Sequence, residues 1–454
     1  MQTYTDKIGQ GIFFLPDGKR FIFYAPLQGL LLEVNDTYKQ HFQKAINGDV
    51  AAAEAIGLKP SLLEDIQKVP AATDRILKPV WPVEFRPTSM TIFLTHQCTL
   101  RCTYCYCYGG EGVTMSWDMA RNALDYTMSN AKKLGQFFKL SFHGGDPGAC
   151  WPLFQKCVRY IEKKCADIKL KFQMSVGTNA FYNEKQADFI SKHIHSATVS
   201  LDGIPDIHNR YRCGPNGEPS LSRILPTLQI FEKNKMQFSV RMTITRGSVE
   251  KLSESVEYIC QKTKTGNIRA EPMYTRGRAS SENLSAPDAA IFVECFREAK
   301  KIAAKHGREL TYSGARIGGV YGTFCSYPNP TFGVTPNGGL TCCYEVLHPQ
   351  DSLGEIFYYG NFSEDGILHI DQDRINAIRD MAVQRRGKCG DCFCLFQCAG
   401  DCIAKVNDAG GLNTHVAERC FITRELTKDM LKDVLAGKFS GKKRKEHQNQ
   451  LVSK

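Results

Sequence analysis

No stretch of this 454-residue chain is apolar for long enough to cross a bilayer, and its first residues, MQTYTDKIGQG, lack the basic start and apolar core of a signal peptide. A membrane protein is therefore not expected, and a cytoplasmic setting is. No stripe of aromatic residues is interleaved with the positive charge where it gathers. The segment AGKFSGKKRKEHQNQLVSK carries six Lys or Arg against one Glu, so it supplies five of the net eleven positive charges. It reads as a solvated, disordered extension, and no nucleic-acid partner is expected. Disulfides are excluded in turn, because nineteen cysteines in a reducing compartment do not make a disulfide framework. Clustered thiols in that setting bind metal or do redox chemistry. The count asks for a cofactor.

What is present is an ordinary globular composition, 42% apolar and 23% charged, in a chain long enough for two or three domains. Residues 1–80 hold a small α+β module, winged-helix-like in its mixture of three strands and three helices. There IFFL-PDGK-RFIFYAP alternates and turns at Pro16-Asp17-Gly18, a hairpin signal. Asn35 can cap the helix DTYKQHFQKAI, Gly48 follows its end, and Pro60-Ser61 open SLLEDIQKV. Three prolines in LKPVWPVEFRP mark a linker.

From residue 90 a strand–helix rhythm runs through MTIFLTH, FFKLSFHG, KFQMSVGT, ATVSLDG, MQFSVRMTIT and NIRAEPMY. The helix opening at Trp151-Pro152 places Phe154, Cys157, Val158, Ile161 and Cys165 on one face. The helix after Ser285 starts S-A-P-D, which reads as a capping box, and its apolar face carries Phe292, Cys295, Phe296, Ala299, Ile302 and Ala303. Six strands each followed by a helix predict an α/β fold, a partial (β/α)6 barrel over residues 88–308. Ligands in such folds sit at the C-terminal ends of the strands. A Cys- and Gly-rich region takes over across 309–436, and the basic extension fills 437–454.

The stretch CTLRCTYCYC follows the first barrel strand and gives Cys98, Cys102 and Cys105 the spacing C-x3-C-x2-C. Three thiolates on one loop can hold three irons of a cubane [4Fe–4S] cluster and leave the fourth iron open to a substrate or cofactor. Zinc is the alternative, but its usual signature pairs two C-x2-C motifs, and the first gap here differs.

C-x3-C-x-Tyr-C directly after a first barrel strand resembles the radical S-adenosylmethionine (SAM) enzymes. The resemblance implies that Cys98, Cys102 and Cys105 hold the cluster, that SAM chelates the open iron, and that Cys107 is surplus. It places Tyr104 near the adenine. FHGGDP resembles the family's Gly-Gly-Glu turn, which gives Gly144, Gly145 and Asp146 contact with the SAM amino group, Asp146 standing in for the longer Glu. VSLDGIPDIHNRYR resembles the segment in which Ser200 and Asp202 lie near the ribose and Arg212 pairs with the carboxylate. A structural ion pair is the other reading of an Asp and an Arg near a strand end.

The C-terminal region reads Cys325-x12-Gly338-x4-Cys343, then Cys389-x2-Cys392-x5-Cys398-x3-Cys402, then Cys420. This resembles the seven-cysteine SPASM domain of radical SAM enzymes that modify peptides. The resemblance implies an inner auxiliary [4Fe–4S] cluster on Cys325, Cys343 and Cys402, and an outer one on Cys389, Cys392, Cys398 and Cys420, three clusters in all. The inner site is one ligand short, and two readings stay open: neighbouring Cys342 swings in, or the site is left open for a substrate thiolate or another donor. The remaining cysteines are expected to be structural: Cys157, Cys165, Cys260 and Cys295 in helix cores, and Cys107, Cys150, Cys213, Cys342 and Cys394 in loops, where a hydrogen-atom donor to a substrate radical is the other reading.

The implied activity is that of an oxidoreductase using 5′-deoxyadenosyl radical chemistry on a ribosomally made precursor peptide. It would install an intramolecular thioether or carbon–carbon crosslink, with a flavodoxin or ferredoxin as reductant. The N-terminal module resembles peptide-recognition domains that add a leader segment as a strand at a sheet edge. The alternatives are an anaerobic sulfatase-maturing enzyme forming formylglycine, a peptide epimerase, or a non-catalytic Fe–S or zinc-binding protein.

Overall fold

The computed structural model describes residues 6–7, 11–82, 84–106, 112–325, 332–346, 348–351, 353–363 and 365–438. Cys107 and the basic extension from 439 onward lie outside the described residues. The chain divides into two compact units, the first made of residues 1–81, 314–325 and 381–454, the second of 82–313 and 326–380.

In the first unit, β1 (Asp6–Lys7), β2 (Phe13–Asp17), β3 (Arg20–Ala25) and β4 (Leu30–Val34) form an antiparallel sheet in that order. The expected hairpin joins β2 to β3 with Asp17 opposite Arg20, and Gly18 in the left-handed region makes the tight turn. Asn35 caps the helix Asp36–Ile46 through the Tyr38 N–H, as expected. Four helices follow the sheet rather than three, the last two being Pro60–Gln67 and Ala71–Leu77. Alternation along β2 and β3 buries both faces of the sheet. Phe14 and Phe23 meet Phe42 of the first helix, while Phe13, Ile22 and Tyr24 pack on Phe393, Phe396 and Leu431 of the cysteine-rich segment. The N-terminal module and Cys392, Cys394 and Cys398 thus share one core. Lys432 also pairs with Asp17 at the hairpin, at 2.6 Å.

The second unit is built on an eleven-stranded, mostly parallel sheet. It contains β5 (Ser89–Phe93), β6 (Phe138–His143), β7 (Phe172–Thr178), β8 (Ser196–Ser200), β9 (Gln237–Ile244), β10 (Asn267–Pro272) and β11 (Glu309–Thr311). Each pairs in parallel with the next, so all seven C-terminal ends share one edge. On the other side of β5, β12 (Phe332–Val334) is also parallel, and β13 (Gly339–Thr341), β14 (Tyr358–Phe362) and β15 (Leu368–Ile370) continue antiparallel. The six expected strands are all present. A seventh strand, β11, joins the parallel run and ends at Thr311, close to residue 310 where the rhythm was expected to stop.

The helix Trp151–Asp167 buries the five residues its periodicity assigned. The helix expected after Ser285 begins later, at Ala289, and its cap is Asp288, whose carboxylate accepts from the N–H groups of Ala290 and Ile291. A carboxylate three residues on captures the free N–H groups that Ser285 was expected to satisfy. Cys295 lies half-buried at the margin of that helix's apolar face, where Val293 is buried instead. Cys157, Cys165 and Cys260 are buried as expected, and so are Cys150 and Cys394. Among the described residues no helix is long and apolar enough to cross a membrane.

Candidate active site

The loop that leaves β5 carries Cys98, Cys102 and Cys105, and backbone bonds hold it from several sides. Its Arg101 N–H donates to the Cys213 carbonyl at 2.8 Å and its Thr103 N–H to the Tyr211 carbonyl at 2.9 Å. From beyond β10, Arg278 donates through its backbone N–H to the Cys105 carbonyl at 2.9 Å and through Nη1 to the Cys102 carbonyl at 2.8 Å. None of these four bonds uses a sulfur atom.

The Gly-Gly-Asp turn after β6 clamps the start of this loop. The N–H groups of Gly145 and Asp146 donate to the carbonyls of Thr95 and Gln97, both at 2.9 Å. A side chain at 145 would put its first carbon 2.0 Å from the Gln97 carbonyl oxygen, so backbone meets backbone there and only glycine fits. The Asp146 carboxylate turns to the end of β7. It accepts from Thr178 Oγ1, the Asn179 N–H and the Gly148 N–H, each at 2.8 Å, and from the Tyr182 hydroxyl at 3.2 Å. Burial still leaves its carboxyl above the usual carboxylate range.

The other residues assigned to SAM gather around Asp202, just past the end of β8, where half-buried Ser200 closes the strand. Arg212 grips Asp202 through Nε at 2.9 Å and Nη2 at 3.1 Å, and the Tyr104 hydroxyl donates to the same carboxylate. The guanidinium also lies 5.1 Å from the centre of the Tyr104 ring. Arg212 has five N–H donors, and Asp202 takes two of them.

His208 supports this cluster. Its Nδ1 accepts the Asp202 N–H at 3.2 Å, and its Nε2 faces Ser220 Oγ at 3.1 Å, whose own hydrogen goes to the Arg212 carbonyl. That arrangement requires a neutral ring, and burial pushes the imidazole down to about 4. The unfolded chain binds this proton near 6.5, so between 6.5 and 4 it holds more protons than the folded one. Stability is complete above that window and falls as the pH drops through it. At pH 5 the loss is about 2 kcal/mol. Urea midpoints of wild type and His208→Gln at pH 7 and pH 5 should show the variant losing less by about that amount; equal losses would contradict this role.

Three residues of the site carried no role in the sequence reading. Asn179 Nδ2 donates to Cys98 Sγ at 3.4 Å, beside the Leu100 N–H at 3.5 Å, and Tyr182 and Arg278 hold the turn and the loop. Thr178-Asn179 was visible as a strand end, but nothing local says that its amide reaches a sulfur. Such N–H donors fit a thiolate ligand. Burial pushes the Cys98 thiol up, and that of Cys102 up to about 12 against the pull of Arg212. Thiols in such surroundings become thiolates when a metal centre is bound beside them. The donor set fits an iron–sulfur cluster.

A second cysteine group lies wholly in the first unit. Cys389, Cys392, Cys398 and Cys420 line one cavity, together with Cys394, Arg385, Asp401 and Arg424. Burial pushes Cys389 up and Cys420 up to about 11, whereas hydrogen bonding from Cys394, joined by Arg424, holds Cys392 down. In the wall, Ala399, Gly400 and Asp401 have successive φ values of 54°, 94° and 69°. Two non-glycine residues in the left-handed region persist only where the surroundings fix them. Here Arg385 Nε holds the Gly400 carbonyl at 2.8 Å, and Arg419 holds the Asp401 carboxylate at 2.7 and 2.9 Å. Of the remaining assigned ligands, Cys325 and Cys402 belong to the first unit and Cys343 to the second. The Cys342 thiol points to the Phe357 carbonyl at 3.6 Å. Among the described residues no three His, Cys, Asp or Glu side chains are arranged to hold a single metal ion. A cubane asks for something different, since its ligands bind separate irons.

Residues 92–259, which include the three-cysteine loop, the Gly-Gly-Asp turn and the Asp202 cluster, match the Radical SAM superfamily. The chain carries a radical SAM domain. Over 167 residues it is 29% identical to an uncharacterized protein of Methanocaldococcus jannaschii, covering 37% of this chain and 56% of that one. Over 156 residues it is 26% identical to the cysteine-type anaerobic sulfatase-maturating enzyme of Clostridium novyi, covering 33% and 42%. The chain spans about half the length of these curated relatives. Among solved structures, anSMEcpe with bound AdoMet gives a TM-score of 0.61 at 18% identity over 80% of this chain and 99% of that one. Streptococcus suis SuiB bound to precursor peptide SuiA gives 0.52 at 13% identity over 91% and 99%. At these identities the likeness is one of fold, and it extends beyond the radical SAM domain itself.

Proposed function

We propose that this chain is a radical SAM enzyme that acts on a ribosomally made precursor peptide and installs an intramolecular thioether or carbon–carbon crosslink. The observation that carries the reading is the three-cysteine loop, locked at the strand ends beside the Tyr104–Asp202–Arg212 cluster, in a chain with a separate four-cysteine cavity. In this reading the parallel sheet is a partial (β/α)6 barrel and the cysteine-rich region a SPASM domain with two auxiliary clusters. When bound, the first cluster and SAM supply a reductively generated carbon radical able to take hydrogen from an unactivated C–H bond.

The protein's part is to hold and orient. Cys98, Cys102 and Cys105 hold the cluster, and Asn179 and the Leu100 N–H stabilise the Cys98 thiolate. Tyr104 offers a ring face to the adenine, and Arg212 has donors beyond those used by Asp202 for the SAM carboxylate. Gly144 and Gly145 bring the backbone close, and the clamp around them excludes water. A peptide leader would add to an edge of the N-terminal sheet, and a flavodoxin or ferredoxin would supply electrons.

Support comes from the fold shared with SuiB, solved with a precursor peptide, and from the C-terminal cysteines. The likeness to sulfatase-maturating enzymes favours a second reading, oxidation of a protein cysteine or serine to formylglycine. Co-expression with candidate precursor peptides separates the readings. A product lighter by two hydrogens and resistant to reduction supports the crosslink. A hydrazide-reactive aldehyde in a sulfatase peptide supports maturation instead, and an unchanged mass with one inverted residue points to epimerisation.

A further inference from the structure

The four-cysteine cavity has two guanidiniums in its wall. Arg385 is buried and fixed, with Nε on the Gly400 carbonyl at 2.8 Å, Nη1 on the Leu412 carbonyl at 3.1 Å and Nη2 facing His415 at 3.3 Å. Arg424 stands beside Cys392 in the same wall. The carboxylate lining the cavity, Asp401, is matched by its own counter-ion, Arg419.

We infer that Arg424, backed by Arg385, raises the reduction potential of a cluster held by Cys389, Cys392, Cys398 and Cys420. The inference rests on the cluster assignment proposed above. Reduction adds one electron to a centre already made anionic by four thiolates. A cation fixed in a cavity of low dielectric stabilises the more negative form. The electron in the test comes from dithionite, and no bond breaks. Arg424 acts on the charge of the centre and does not touch substrate, so its signature is a potential rather than a rate.

Wild type, Arg424→Gln, Arg424→Lys and Cys389→Ala would be purified anaerobically with their clusters, assayed for iron, and titrated with dithionite while the cluster signals are followed by electron paramagnetic resonance. The signal absent from Cys389→Ala identifies the site. In Arg424→Gln the reduced-to-oxidised ratio at the wild-type midpoint should fall at least tenfold, a shift of about 59 mV for a one-electron couple, and Arg424→Lys should lie closer to wild type. An unchanged midpoint in Arg424→Gln overturns the inference. Loss of iron from Arg424→Gln with retention in Arg424→Lys supports it, since charge separates the two. Loss from both overturns it in favour of packing. If Cys389→Ala keeps all its iron and every signal, the cluster assignment itself has failed and the inference falls with it.

Discussion

Replacing Cys98, Cys102 and Cys105 together with alanine should abolish SAM cleavage and remove about four irons per chain, with the rest of the iron and the fold retained. The expectation that the protein survives comes from how the loop is held. Arg101, Thr103, Gly145 and Asp146 bond through backbone groups, and Arg278 reaches two loop carbonyls. None of these bonds uses a sulfur, so the variant keeps the loop and loses the ligands. A parallel Cys107→Ala variant should keep both its iron and its activity, since the three-residue spacing leaves that thiol outside the ligand set. The readout is 5′-deoxyadenosine released with dithionite as reductant. Release by the triple variant at the wild-type rate would contradict the assignment.

Asp202→Asn should be strongly destabilising. It leaves the Arg212 guanidinium in a buried site without its counter-ion, and removing one partner of a buried pair costs about 3–5 kcal/mol. The environment is closed on every side: Asp202 also accepts the Tyr104 hydroxyl and, at 3.0 Å, the Thr243 N–H. Desolvation makes the penalty large, because water cannot replace the lost carboxylate. The urea midpoint measures it, and a change of less than about 1 kcal/mol would show that the pair is not the closed unit described. Removing both charges in Asp202→Asn/Arg212→Gln should recover part of the loss, since the buried cation goes too. If that double variant recovers stability and still fails to bind SAM in an equilibrium assay, the pair serves the ligand as well as the fold.

The first cysteine spacing was legible in the sequence because it is local: Cys98, Cys102 and Cys105 lie on one loop, and the loop follows a strand whose apolar run is plain. The same holds for the helix at Trp151, whose five buried residues follow from a period of 3.6. What was not legible depends on distant partners. Asn179 lies 81 residues from Cys98, and only the parallel register of the strands brings its amide to the sulfur. For Asp202 and Arg212 the sequence left open a ligand or a structural ion pair, and ten residues of turn and helix fold them onto each other. In the N-terminal module the alternation of Phe13, Phe14 and Leu15 showed a strand, but not that one face would pack on Phe393 and Phe396 nearly four hundred residues later. The strands β11 to β15 escaped because most of them are three residues long and short runs carry little periodicity. At Ser285 the pattern for a helix start was present, and Asp288 overrode it with a stronger acceptor one turn on.

The central claim is that the three-cysteine loop holds one iron–sulfur cluster and the C-terminal cysteine region two, and the direct measurement is iron, acid-labile sulfide and zinc per chain after anaerobic purification and reconstitution. About twelve irons with matching sulfide and no zinc is the predicted result, four for each of three cubanes. Zinc bound in place of iron at the C-terminal cysteines, with about four irons remaining, would contradict it and leave the radical SAM domain without auxiliary clusters.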